Sequence, residues 1–145
     1  MQFGRFIGID VGTKRVGLAR TDLLQTSPNT MDAYSPDESI RQLVRMNHEE
    51  EYPILGFVIG WPLNPEGDEA EATRMVERYV KKLRAHLPDI PIHYIDERFS
   101  SRIALKKMVK AGIPKKKRRT KGRVDQASAA LFLQQFLESN IENRT

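Results

Sequence analysis

The distribution of apolar and polar positions divides the chain into short blocks. An apolar run from Phe6 to Ile9 reads as a strand, ends on the carboxylate of Asp10, and is followed by Gly12, which permits a tight reversal into a second apolar run from Val16 to Ala19. Residues 1–20 therefore predict two strands in a hairpin, with Lys14 and Arg15 at its tip. A loop over 22–27 and a third short strand over 30–34 come next. Ser35-Pro36-Asp37-Glu38 then has the form of a capping box, with Ile40, Leu43 and Val44 as the apolar face of the helix it opens. The acidic run Glu49-Glu50-Glu51 and Pro53 end that helix.

Leu55 to Gly60 is continuously apolar, as expected of a strand covered on both faces in the middle of an α/β sheet. The proline-bounded loop from Trp61 to Gly67 follows, at the strand end where open α/β sheets place ligands. Ala72, Met75, Val76, Tyr79, Val80, Leu83 and Leu87 recur at helical spacing, predicting an amphipathic helix over 70–87. Ile90 to Ile95 is the next strand. Alternation sets Ile92, Tyr94 and Asp96 on one of its faces, and His93, Ile95 and Glu97 on the other. Ser100 or Ser101 caps a helix containing Ile103, Leu105, Met108 and Val109, which stops at Gly112. A last helix begins at Val124 and ends near Ser139, with Asp125 in its first turn and a frayed tail over 140–145.

Composition narrows the picture. A length of 145 residues with 39% hydrophobic positions suits one domain, taken as residues 1–139, built on a single sheet. The absence of cysteine removes disulfides and thiolate metal sites. No apolar run approaches the ~20 residues of a membrane span and the N-terminus has no signal-peptide pattern, so a soluble, cytoplasmic protein is expected, with no membrane partner. The net charge of +5 is unevenly spread. Lys115, Lys116, Lys117, Arg118, Arg119, Lys121 and Arg123 form a nearly pure cationic segment without an apolar anchor, which predicts a loop that meets phosphates.

Three acidic positions carry the candidate chemistry. Asp10 and the Asp96-Glu97 pair stand at strand ends, and Asp125 stands on a helix where Ala127, Ser128, Ala129 and Ala130 allow close approach to the sheet. Each has a structural alternative: Asp10 as a turn residue, Asp125 as a cap. Taken together, hard oxygen ligands beside basic segments suit Mg²⁺ or Mn²⁺, and two such ions hydrolyse phosphodiesters. Lys14, Arg15, Asn64, Arg98 and the cations from Lys115 to Arg119 with Lys121 are the candidate substrate contacts. Alternation does not settle which member of the acid pair points to the site, because a strand end can twist; Glu97 is the preferred metal ligand and Asp96 its rival.

Four blocks make a resemblance specific: Gly8-Ile9-Asp10-Val11-Gly12-Thr13-Lys14-Arg15-Val16-Gly17, Gly60-Trp61-Pro62-Leu63-Asn64 with Gly67, Asp96-Glu97-Arg98-Phe99-Ser100-Ser101, and Lys121-Gly122-Arg123-Val124-Asp125 with Ala127, Ala129 and Ala130. In content and order they resemble the YqgF/RuvX family of pre-16S rRNA nucleases, also called Holliday junction resolvases. Trp61 and Phe99 depart from its pattern, standing where Leu is usual. The resemblance implies an RNase H-like α/β fold, a five-stranded mixed sheet flanked by helices on both sides. It also implies a metal-binding catalytic set of Asp10, the acid of the Asp96-Glu97 pair and Asp125. The expected partner is nucleic acid, with precursor rRNA preferred, branched DNA as the alternative, and ribosomal precursor particles as the setting. With no dimer-specific patch in the sequence, a monomer or weak dimer is expected. Two other classes stand beside it. Actin-like ATPases share the strand-Asp-x-Gly-Thr turn but need two such domains, and a non-catalytic RNA-binding assembly factor would need no acids.

Overall fold

The run from Phe6 to Ile9 lies in the middle of the sheet. In the computed structural model, which describes residues 2–49, 51–62, 69–96 and 121–143, strand β1 spans Arg5–Val11 and pairs on both sides. Its hairpin partner β2, Val16–Thr21, is antiparallel to it, and β3, Pro28–Tyr34, is antiparallel to β2. On the other side β4, Ile54–Trp61, is parallel to β1, and β5, Ile92–Asp96, is parallel to β4. The order β3-β2-β1-β4-β5 makes a mixed five-stranded sheet in which β1, β4 and β5 end on the same edge.

Helices α1, Pro36–Glu49, and α2, Glu69–His86, cover one face, and α3, Lys121–Asn143, covers the other. The pleat divides the strands between them. Ile7, Ile9, Val11, Leu18, Phe57 and Ile59 bury against α1 and α2, while Phe6, Ala19, Val58 and Ile95 pack with α3. β4 is buried on both faces, as its unbroken apolar run predicts. α2 turns Val76, Tyr79, Val80 and Leu83 inward, the stripe its spacing predicts.

Two helix ends differ from expectation. Ser35 Oγ accepts the Glu38 amide at 3.3 Å, so the cap forms, but the Glu38 carboxylate accepts from Arg41 Nε at 2.8 Å and Gln42 Nε2 at 2.9 Å instead of reaching back. These donors, Gln42 first, hold the Glu38 carboxyl below its ordinary range. α3 begins at Lys121 and runs to Asn143, past the predicted bounds of Val124 and Ser139. Lys and Arg extend a helix readily, and no Gly or Pro after Ser139 stops it. Lys121 therefore belongs to the first turn of α3 and not to a basic loop, and Asp125 lies beyond that turn. The capping alternative for Asp125 is thereby removed.

α1 and α2 are tied by one buried polar contact. Ser39 Oγ donates to the Pro36 carbonyl at 2.6 Å, so its 2.8 Å contact with Tyr79 takes the phenol as donor. Burial raises the Tyr79 pKa well above that of an ordinary phenol.

Candidate active site

The site is set by the three strand ends that share an edge. Asp10 is half-buried near the end of β1, opposite Gly17 across the hairpin. Val11, its neighbour, packs on the α1/α2 face, so Asp10 falls on the α3 face with Phe6 and Gly8. The hairpin closes immediately beyond: the Gly12 amide donates to the Arg15 carbonyl at 2.9 Å, and a Cβ on Gly12 would lie 2.5 Å from that oxygen. Lys14 and Arg15 are exposed at the tip, as the sequence predicts.

α3 approaches this edge because a strand residue and a helix residue are both small. A Cβ on Gly8 would stand 2.4 Å from the Ala129 carbonyl oxygen and 2.8 Å from Leu133 Cγ, so the helix rests on the bare backbone of β1. Farther along, Phe136 packs on Phe6, with ring centroids 4.9 Å apart, and on His93, with centroids 4.8 Å apart. These two anchor points give α3 a direction. From Phe136 to Ala129 it advances from the level of Phe6 to the level of Gly8, and one further turn, ~6 Å, carries the backbone of Asp125 toward the level of Asp10. Ala129 thus makes the close approach to the sheet that the small residues of α3 predict. Gly8 is where the helix rests on β1, a contact to which the sequence reading assigns nothing; its signal was a glycine two places before a strand-end acid, on the same face.

Asp96 ends β5 in register with Trp61. Ile95 packs with the α3 cluster, while Ile92 and Trp61 pack with the α1/α2 core. The pleat therefore places Asp96 on the face opposite Asp10. Continuing the alternation would return the next position to the face of Asp10. That position, Glu97, lies outside the described residues, as do Asn64, Arg98, Lys115, Lys116, Lys117, Arg118, Arg119 and the helix expected around 101–112. Among the described residues no group of three or more His, Cys, Asp or Glu side chains gathers as a metal site. Asp10 is the acid that the described side chains supply on the α3 face of this edge.

Among the described residues, no helix is long and apolar enough to cross a membrane. A family model described as RuvX, Holliday junction resolvase, matches residues 4–139. A protein of Salinibacter ruber named "Putative pre-16S rRNA nuclease" is 44% identical over 133 residues, 92% of each chain. One of Parabacteroides distasonis with the same name is 40% identical over 136 residues, 94% of this chain and 96% of the relative. Among solved structures, RuvC of Thermus thermophilus in complex with a Holliday junction substrate superposes with a TM-score of 0.57 at 13% identity, covering 95% of this chain and 96% of that one. That likeness establishes the RNase H-like fold. By sequence along nearly its whole length, the chain belongs to the RuvX family.

Proposed function

We propose that this protein is a divalent-metal-dependent endonuclease that hydrolyses phosphodiester bonds and trims the 5′ end of precursor 16S rRNA. The observation that supports the proposal is the close seating of α3, the helix to which Asp125 belongs, on Gly8 of the strand that carries Asp10. The names of the relatives supply the substrate class.

The donor set fits a hard divalent cation, since it offers carboxylate oxygens and the chain has no thiolate. Asp10, Glu97 and Asp125 are the residues assigned to hold it. Two ions in such a site supply an activated water and stabilise the charge on the leaving oxygen. Glu97 is preferred to Asp96 because Asp96 falls on the face opposite Asp10. Asp10 anchors the site near the end of β1, a strand paired with a neighbour on each side. Lys14 and Arg15 at the hairpin tip hold the phosphates that flank the scissile bond. Asn64, Arg98, Lys121 and the cations from Lys115 to Arg119 extend that grip, and such contacts give affinity with little sequence information.

The description of the family as a Holliday junction resolvase favours a second substrate for the same site, a four-way DNA junction. Wild-type protein and the Asp10→Asn and Asp125→Asn variants, assayed with Mg²⁺ on a 5′-extended precursor rRNA fragment and on a junction, separate the readings. Cleavage of the RNA, slowed at least about a hundredfold in each variant, is expected, a barrier increase on the order of 3 kcal/mol. Cleavage of the junction alone selects the DNA reading. Binding of RNA by all three proteins with no cleavage makes the protein an assembly factor.

A further inference from the structure

On the α2 face of the same sheet edge lies an open groove of about 660 Å³ lined by Trp61, Glu77, Val80, Lys81, Arg84 and Tyr94. Trp61 closes β4 and Tyr94 lies on β5, diagonal to it in the register. Their rings meet edge to face, with centroids 5.1 Å apart and planes at 76°. Tyr94 is 43% exposed, which is high for an aromatic side chain on a strand flanked by a helix. Lys81 and Arg84 are exposed on the adjoining surface of α2, and no ion pair joins either to a carboxylate among the described residues. Lys82, by contrast, pairs with Asp37 at 3.3 Å, and Arg78 pairs with Glu71 at 3.6 Å. Among the described residues the groove thus combines aromatic rings with two cations that have no ion-pair partner, against Glu77 in its lining and Asp96 beside Trp61 at its rim.

We propose that Trp61 and Tyr94, flanked by Lys81 and Arg84, form a stacking platform for an unpaired base of single-stranded RNA, the cations holding the phosphates on either side. Rings beside unpaired cations are the chemistry by which proteins grip single strands without reading sequence, whereas a duplex keeps its base faces covered. The charge excludes a purely apolar ligand as the preferred occupant. The location fits a path across the sheet edge. Ile9 of β1 pairs with Ile59 of β4, so Asp10 and Trp61 lie on adjacent strands near the same level, with their side chains on opposite faces. Tyr94 is one strand farther, roughly 10 Å from β1 at a spacing of ~4.8 Å per strand. A single strand passing over this edge would present one backbone phosphate at Asp10 and rest a neighbouring base on Tyr94. This placement rests on the nuclease reading; the stacking itself does not.

Trp61 is the single tryptophan of the chain, so its fluorescence reports on the platform directly. Full-length protein is titrated in EDTA with oligouridylate, oligoadenylate and a blunt RNA duplex. Quenching of Trp61 by the single strands and not by the duplex is expected. Tyr94→Ala should weaken single-strand affinity roughly 5- to 100-fold. Lys81→Ala and Arg84→Ala should each lower the slope of log affinity against log salt by about 0.7. Single-strand binding seen by anisotropy without Trp61 quenching, or quenching equal for duplex and single strand, overturns the platform. So does an unchanged affinity in Tyr94→Ala when its circular dichroism matches wild type. Asp10→Asn should quench as wild type does. Quenching with no RNA cleavage by wild type leaves the platform standing and removes the nuclease reading, while cleavage without quenching removes the platform alone.

Discussion

The two faces of the sheet are built on opposite plans. Against α1 and α2 the strands present large side chains, with Ile7, Ile9, Leu18, Phe57 and Ile59 fully buried, and the helices stand off by the thickness of those groups. Against α3 the strand that carries Asp10 presents the bare backbone of Gly8 and the helix answers with Ala129, while Phe132 and Leu133 bury with Val58 and Ala19, and Phe136 packs on Phe6 and His93. The first face is a source of hydrophobic stabilisation. The second gives some of that up so that a helix backbone can approach the strand that carries Asp10. Stability and chemistry are therefore assigned to different sides of one sheet, and substitutions on the two sides should fail in different ways.

The largest effect on stability is expected on the thick face. Phe57→Ala removes a ring with no solvent exposure and should cost about 3–5 kcal/mol in urea unfolding, with the cleavage rate per folded molecule nearly unchanged. Gly8→Ala is smaller in stability and larger in function. The added methyl meets the Ala129 carbonyl, a rigid backbone atom, so α3 must move outward at a cost of about 1–3 kcal/mol. Cleavage should fall by more than the folded fraction does, because in the proposed site the same displacement moves α3 away from the strand that carries Asp10. Equal losses in activity and folded fraction for both variants would erase the distinction between the faces.

A third substitution sharpens the contrast from the other direction. Ser128 is buried on α3 and its hydroxyl has no hydrogen-bond partner among the described residues. Ser128→Ala should raise the urea midpoint, by about 1 kcal/mol in stability, since an unsatisfied hydroxyl is removed and a small side chain is kept. The smallest effect lies at the far end of the sheet, in the β2–β3 loop. The Asp22 carboxylate accepts from the Thr26 hydroxyl, from the Thr26 amide at 2.6 Å and from the Ser27 amide at 3.1 Å. The Thr26 hydroxyl is the main cause of a pKa lowered from 3.8. A depressed carboxylate pKa stabilises the fold above 3.8 and loses that contribution as pH falls through the folded-state value. Urea midpoints followed downward from pH 5 should decline less steeply in Asp22→Asn than in wild type.

Much of the thick face was legible in the sequence because it rests on periodicity. The continuous run of β4 and the spacing of Val76, Tyr79, Val80 and Leu83 each have one physical solution, and the molecule adopts it. The thin face was legible only in part. The small residues from Ala127 to Ala130 signal close approach, yet nothing local identifies Gly8 as what they approach, because that contact spans most of the chain. The N-terminal limit of α3 was missed because the cationic run that ends at Arg123 lacks an apolar anchor and reads as a loop, while Lys and Arg are good helix formers. For Asp96 and Glu97, alternation gives the parity of the two acids from sequence. Which parity faces the site depends on where α3 packs, and that is a tertiary fact.

The most direct test compares those neighbouring acids. Initial rates of Mg²⁺-dependent cleavage of the 5′-extended precursor rRNA are measured side by side for Glu97→Gln and Asp96→Asn. The account predicts that Glu97→Gln loses at least about a hundredfold, a barrier increase on the order of 3 kcal/mol, while Asp96→Asn stays within about tenfold of wild type. The reverse ranking would contradict the assignment of the site to the α3 face.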